Sequence, residues 1–252
     1  MVKLSAVIIT FNEERNIERC IRSFEGVADE VIVVDSLSKD KTVAIAESLG
    51  ARVIHQKFLG HIEQKNFALS QATYDHCISL DADEALDETL KQSVLDAKAN
   101  FIADGYTMNR LTNYCGQWIK HCGWYPDTKL RLVNKKLGSW TGVNPHDRYE
   151  LQKGSKIVHL NGDLFHYSFY TIYEHKLQIE KFTDISAKAK QQAGIRSSWL
   201  KILIKPIAKF VKSYFLQLGL LDGYHGWIIC TQSARATYLK YFKLLKLQRL
   251  AA

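Results

Sequence analysis

Val31-Ile32-Val33-Val34 is a run of four apolar β-formers between Glu30 and Asp35, with no polar alternation. A strand reads this way when both its faces are buried, as in a parallel sheet covered by helices on either side. The flanking sequence repeats the signal. β-rich apolar runs at 5–10, 30–35, 52–55 and 76–80 alternate with helix-period segments at 16–24, 41–49 and 62–71. That rhythm belongs to right-handed βαβ units. The expected fold class is α/β, a mostly parallel central sheet flanked by helices. One more helix is expected over 87–99. Short alternating stretches at 105–111, 128–133 and 155–160 read as an added β-region covering the open edge of the sheet. Residues 169–192, 197–218 and 226–248 read as helices. The 252 residues suffice for one large core without staples, and three prolines and 14 glycines leave little for long linkers. The expected division is an α/β domain over 1–168 and a helical, basic segment over 169–252.

In an open α/β sheet, ligands bind in the crevice outside the carboxyl ends of the strands. Asp81-Ala82-Asp83 follows the apolar run Cys77-Ile78-Ser79-Leu80 at such an end. Two carboxylates there are costly to bury unpaired, and paired oxygen ligands suit a hard divalent cation, Mg²⁺ or Mn²⁺, which usually accompanies a phosphate or diphosphate. The alternative is a solvated turn, with Glu84 and Asp87 leading into the next helix. The first strand ends in Thr10-Phe11-Asn12-Glu13 and the second in Asp35-Ser36-Leu37-Ser38-Lys39-Asp40. Hydroxyls and carboxylates at adjacent strand ends can hold a nucleoside, although Ser38 and Asp40 also suit helix caps and Asn12 suits a turn. No glycine-rich dinucleotide fingerprint and no Walker lysine loop is present. In Gln64-Lys65-Asn66, Lys65 is placed to meet a phosphate or, alternatively, to lie on a solvated helix face.

Five scattered cysteines with no C-x-x-C spacing read as reduced thiols. With no signal-peptide pattern at the start, the expected location is the cytoplasm. The formal net charge of +8 is uneven. From Arg196 onward there are ten Lys or Arg and one acid, Asp222, for +9, while the preceding residues come to −1. Lys201, Lys205, Lys209 and Lys212 share one helical face beside a mostly apolar remainder, and Pro206 is expected to kink the helix. Four lysines are too costly for a spanning helix, so an in-plane helix is expected, with residues 197–249 seeking the anionic inner face of the cytoplasmic membrane; the alternative is a helix packed on the α/β domain with its lysines facing water.

The order of these parts resembles the inverting family 2 glycosyltransferases. Residues 7–13, 30–36, 64–66 and 79–84 carry the resemblance through about the first 100 positions. It continues in Trp124-Tyr125-Pro126-Asp127, Lys129-Leu130-Arg131-Leu132, and Trp140-Thr141-Gly142 ahead of His146-Asp147. This later set is similar to the subgroup that includes bacterial lipopolysaccharide core glucosyltransferases. The resemblance implies a nucleotide-diphospho-sugar transferase fold, with a donor nucleotide half over 1–100 and an acceptor half over 101–168. It implies a UDP-sugar donor, of glucose or another hexose, and a lipid-linked glycan acceptor such as the lipopolysaccharide inner core. Thr10, Asn12, Glu13 and Asp35 would contact the nucleoside. Asp81 would lie by the ribose or the metal, and Asp83 would bind the metal, with His166 as a further metal ligand. Asp147 would be the general base, at a position where the subgroup usually has Glu. Arg131 would pair with the diphosphate, or alternatively form a surface ion pair. The rival readings are a basic module docking on membrane or nucleic acid without catalysis, a polyprenyl-phosphate glycosyltransferase, and a sugar nucleotidyltransferase. The last lacks its early glycine- and arginine-rich loop, and for the transferase no nucleic acid partner is expected.

Overall fold

The computed structural model describes residues 1–143 and 146–250, with the backbone alone at 146. The chain forms two compact units, one from Met1–Arg110 and Asp127–Tyr167, the other from Leu111–Pro126 and Ser168 onward.

The first unit begins with four parallel strands, β1 (Leu4–Thr10), β2 (Glu30–Asp35), β3 (Arg52–His55) and β4 (His76–Asp81), in the order β3-β2-β1-β4. Helices α1 (Ile17–Arg22), α2 (Thr42–Ser48) and α3 (His61–Ser70) form the crossovers. Successive strand residues go to different cores. Ala6, Ile8, Val33, Ile78 and Leu80 pack with Ile17, Leu90 and Val94. Val7, Ile32, Val34 and Cys77 pack with Ala68, Leu69 and Trp140. The unalternated sequence of β2 is thus explained by burial on both faces.

After β4 come β5 (Glu84–Leu86) and α4 (Glu88–Ala99), capped by Asp87, whose carboxylate accepts from Leu90 N at 2.6 Å. The following β-region extends the sheet rather than covering its edge. β6 (Gly105–Tyr114), β8 (Asp127–Asn134) and β11 (Ile157–Phe169) continue the order as β4-β8-β6-β11-β5. The pairings β4–β8, β6–β8 and β11–β5 are antiparallel. Short-range alternation revealed these strands, but nothing in it distinguishes joining a sheet from lying over one. Between β8 and β11, β9 (Gly138–Val143) and β10 (His146–Leu151) form a separate antiparallel hairpin.

In the second unit, β7 (Gln117–Ile119) pairs with the far end of β6. α5 (Ile172–Gln192) opens on a capping box of Thr171 and Glu174. α6 (Trp199–Val211) contains Pro206 and passes into a π turn over Lys212–Leu216, so the helix expected over 197–218 stops short. α7 (Gly223–Leu250) closes the chain. Tyr114, Ile119, Cys122, Phe169, Ile229 and Cys230 form this unit's core. The Cys122 and Cys230 sulfurs lie 3.7 Å apart as free thiols.

The start of α7 lies against the turn before it at a distance only glycine permits. A Cβ at Gly226 would collide with the Gly219 carbonyl oxygen and reach within 3.0 Å of Asp222 Cβ. Gly226→Ala is therefore expected to cost the second unit about 1–3 kcal/mol, as for other overpacked interiors. Thermal melting followed by circular dichroism measures this, and an unchanged transition would refute so close an approach.

Candidate active site

Register brings the strand-end residues to one edge of the first unit. Thr10 stands opposite Asp35, Ile9 opposite Asp81, and Asp35 opposite His55. Asp35 is fully buried, and its carboxylate accepts from the Ser38 backbone N–H at 2.9 Å and from the Ser38 hydroxyl. His55 Nδ1 lies 3.2 Å from the same carboxylate. Ser38 Oγ in turn accepts from Asn12 N at 2.8 Å, and Asn12 Oδ1 accepts from Lys39 N at 2.8 Å. The loops after β1 and β2 are thereby tied together, with Asn12 (φ 54°) and Leu37 (φ 67°) both left-handed. For a leucine that backbone is a strained outlier of the kind that concentrates at functional sites. Thr10 Oγ1 is buried with no hydrogen-bond partner among the described residues.

Each residue of Gln64-Lys65-Asn66 on α3 serves a different neighbour. Gln64 Nε2 donates to Ser36 Oγ at 3.1 Å. Asn66 clasps the β9–β10 hairpin, accepting from Trp140 N and donating to Trp140 O, both at 2.9 Å. Lys65 is buried, and its ammonium lies 3.1 Å from Asp81 Oδ1 and 2.8 Å from Asp147 Oδ2. The hairpin register sets Asp147 across from Gly142. The side chain of its neighbour His146 lies outside the described residues.

Arg131 on β8 is buried rather than at the surface, 2.7 Å from Glu84 and 3.4 Å from Asp81. Its Nε and Nη1 have no hydrogen-bond partner among the described residues. The Trp140 ring faces both cations, with its centroid 4.4 Å from Lys65 Nζ and 5.3 Å from Arg131 Cζ. Glu84, which reads in sequence as part of a solvated turn, is fully buried and binds Arg131 and Arg110. Burial alone would raise the Asp81 carboxyl. Lys65 and then Arg131 outweigh it and hold that carboxyl well below the usual carboxylate range. Removing one partner from such a buried pair typically costs about 3–5 kcal/mol.

Asp83 remains partly exposed, with His166 Nε2 3.2 Å from its Oδ2. His166 sits across from Glu84 in the β11–β5 ladder, and Tyr167 N donates to the Asp83 carbonyl at 2.8 Å. Among the described residues no three His, Cys, Asp or Glu side chains group as a metal centre. A cation on Asp83 and His166 would therefore take its remaining ligands from a diphosphate and water, the usual arrangement for Mg²⁺ or Mn²⁺ on phosphate substrates. The electrostatics fit such a cation. Glu13 is pushed up to about 7 by burial, with Asp83, Asp40 and Asp81 adding repulsion and only the Asn16 hydrogen bond opposing. Of the contributing side chains, His55 and Glu84 escaped the sequence reading. Sheet register joins His55 to Asp35, and a side-chain ion pair joins Glu84 to Arg131.

Residues 5–149 match the family described as Glycosyl transferase family 2. The chain belongs to that family. This glycosyltransferase is 34% identical to an uncharacterized glycosyltransferase of Rickettsia typhi, over 98% of this chain and 88% of the other. It is 28% identical to the lipopolysaccharide core biosynthesis glycosyltransferase LpsC of Rhizobium meliloti, over 99% of this chain and 94% of the other. Among solved structures it is similar to glucosyl-3-phosphoglycerate synthase of Mycobacterium tuberculosis, at 23% identity and a TM-score of 0.38, over 44% of each chain. That alignment spans less than half of the mycobacterial chain.

A carboxyl raised from 4.5 to about 7 keeps its proton in the folded protein at pH values where the unfolded chain has lost it. Stability is therefore expected to decline as pH climbs through that window and to level off above it. Given the partial exposure of Glu13, the decline amounts to roughly 2 kcal/mol. Glu13→Gln is expected to abolish it, as melting temperatures between pH 5 and pH 8 would show. An equal decline in the variant would assign the effect to another group.

Proposed function

We propose that this glycosyltransferase moves a hexose from a UDP-sugar to a hydroxyl of a lipid-linked glycan, with inversion and with the help of Mg²⁺ or Mn²⁺. The observation that carries the proposal is the single Lys65 ammonium that touches both Asp81 on the donor side and Asp147 on the hairpin. It keeps the two carboxylates in one cluster, as an inverting displacement requires of donor site and base.

In this reading Asp35 orders the nucleoside site from beneath, its buried carboxylate fixing Ser38 and, through Ser38, Asn12. Thr10, Asn12 and Glu13 line the same nucleoside site. Arg131, with two nitrogens that lack a hydrogen-bond partner among the described residues, and Lys65 beside it supply positive charge for a diphosphate. Asp83 and His166 would hold the divalent ion, which when bound neutralises charge on the departing nucleoside diphosphate. Asp147 accepts the proton of the acceptor hydroxyl as that oxygen attacks from the face opposite the leaving group. The relative named for lipopolysaccharide core biosynthesis supports a lipid-linked glycan as the acceptor class.

The second unit supports placement at an anionic membrane surface. Among the described residues no helix is long and apolar enough to cross a membrane. On α6, however, Leu200, Leu203 and Ile207 are 67%, 63% and 66% exposed, with Ile204 and Val211 beside them. Around the helix this apolar sector is followed by Lys201, Lys212 and Lys205 and then by the side that packs on α7. Contiguous exposed apolar surface flanked by lysines is the pattern of a helix lying in the bilayer interface.

Asp147→Asn is expected to lower kcat by about 10²–10⁴ while the KM for donor stays within a few fold, and Asp83→Ala to abolish Mn²⁺-dependent transfer. Initial rates with radiolabelled UDP-hexoses and a cell-envelope acceptor test both. Undiminished transfer by Asp147→Asn would move the base elsewhere. For the membrane reading, Leu203→Asp combined with Ile207→Asp is expected to release the protein from phosphatidylglycerol vesicles in a sedimentation assay, and retained binding would refute an inserted α6.

A further inference from the structure

Lys209 differs from the other three lysines of its row. Lys201, Lys205 and Lys212 are exposed, whereas Lys209 is mostly buried and lines a cleft of about 270 Å³ formed by α5, α6 and α7. Lys240 of α7 lines the same cleft, together with Gln178, Ser186, Ser233 and Thr237. The acids of α5 that face α7 are already engaged. Glu180 binds Arg235 at 2.8 Å and Lys243 at 3.1 Å, and Asp184 binds Lys243 at 2.9 Å. Among the described residues neither Lys209 nor Lys240 forms an ion pair. Burial lowers the Lys240 ammonium below its ordinary range, and Lys190 and Lys209 add to the effect. Two like charges lining one cleft without a paired carboxylate cost free energy that a bound counter-anion offsets.

We propose that this cleft binds a phosphate group, either free or carried on a sugar. The two ammonium groups provide the charge, and the Gln178 amide and the Ser186 and Ser233 hydroxyls provide hydrogen bonds to phosphate oxygens. The helical arrangement argues against a bilayer headgroup. Lys209 lies on the far side of α6 from Leu203 and Ile207, so a helix with those residues in lipid turns the cleft away from the bilayer. The site involves no residue of the Asp81–Asp147 cluster, and its occupation is independent of the transfer reaction proposed above.

Full-length protein in phosphate-free buffer is titrated with inorganic phosphate and with glucose 6-phosphate, following both calorimetric binding and melting temperature. Two double variants remove the same charge, Lys209→Gln with Lys240→Gln in the cleft and Lys201→Gln with Lys205→Gln on the exposed side. Saturable binding by wild type is expected to weaken about tenfold or more in the cleft variant and to survive in the exposed-side variant. Without ligand, the cleft variant is expected to melt at or above the wild-type temperature, because the unneutralised pair is gone. Tighter binding of the sugar phosphate than of inorganic phosphate would identify a phosphorylated glycan as the ligand, and equal binding would identify phosphate itself. The proposal is overturned if wild type shows no saturable binding or if both double variants lose it equally. It is also overturned if the cleft variant alone falls off phosphatidylglycerol vesicles, which would make the cleft a headgroup site.

Discussion

Charge compensation by Lys65 and Arg131 is the interaction on which the candidate active site depends. Asp81, Glu84 and Asp147 come from a parallel strand, the short strand after it and a hairpin about sixty residues downstream. Brought together without cations, three carboxylates in a largely buried region would repel one another and lose hydration. Lys65 answers for Asp81 and Asp147, and Arg131 for Glu84 and Asp81. The face of Trp140 adds a weaker attraction for both cations. The arrangement also locks the hairpin to α3, because Asn66, next to Lys65, bonds both the N–H and the carbonyl of Trp140.

Compensation is uneven in a way that separates structural from functional charge. Glu84 and Asp81 are matched by arginine and lysine, whereas no such cation is among the groups that shift Glu13, and burial with repulsion from Asp83, Asp40 and Asp81 raises its carboxyl to about 7. A folded protein tolerates such an excess where a cation is part of its working state. The second unit shows the opposite imbalance. There the acids of α5 are taken by Arg235 and Lys243, and Lys209 and Lys240 are left lining one cleft. The two imbalances are the observations from which the cation and the phosphate are proposed.

Much of this was legible in the chain. The unalternated Val31–Val34 run announced a strand buried on both faces, and the four parallel strands and their helices follow the predicted rhythm because burial and local propensity agree there. The strand-end acids were legible for a related reason. A carboxylate directly after an apolar strand stays ionised only beside an opening or a counter-charge, so its position points to a crevice. The hairpin carrying Asp147 was not predicted as such, because Gly138–Val143 and His146–Leu151 have little alternation and their pairing is a tertiary matter. Glu84 and His55 were missed because their significance lies in what faces them, Arg131 in one case and Asp35 in the other. The lysine row of α6 was read as one face. Packing on α7 splits it, turning Lys209 inward and leaving its companions in water.

By itself the sequence determined the α/β class, the succession of strand-end acids and hydroxyls, and the concentration of positive charge after Arg196. Each is a property of residue order, set by hydrophobic periodicity and by side-chain chemistry at fixed spacing. Only the tertiary structure decided that the later β-strands extend the sheet antiparallel, that Lys65 belongs to Asp81 and Asp147, and that Arg131 is buried on Glu84. Those outcomes depend on which distant segments share a low-dielectric interior. There a charge must find its counter-charge or be expelled, and sequence spacing carries no record of that neighbour.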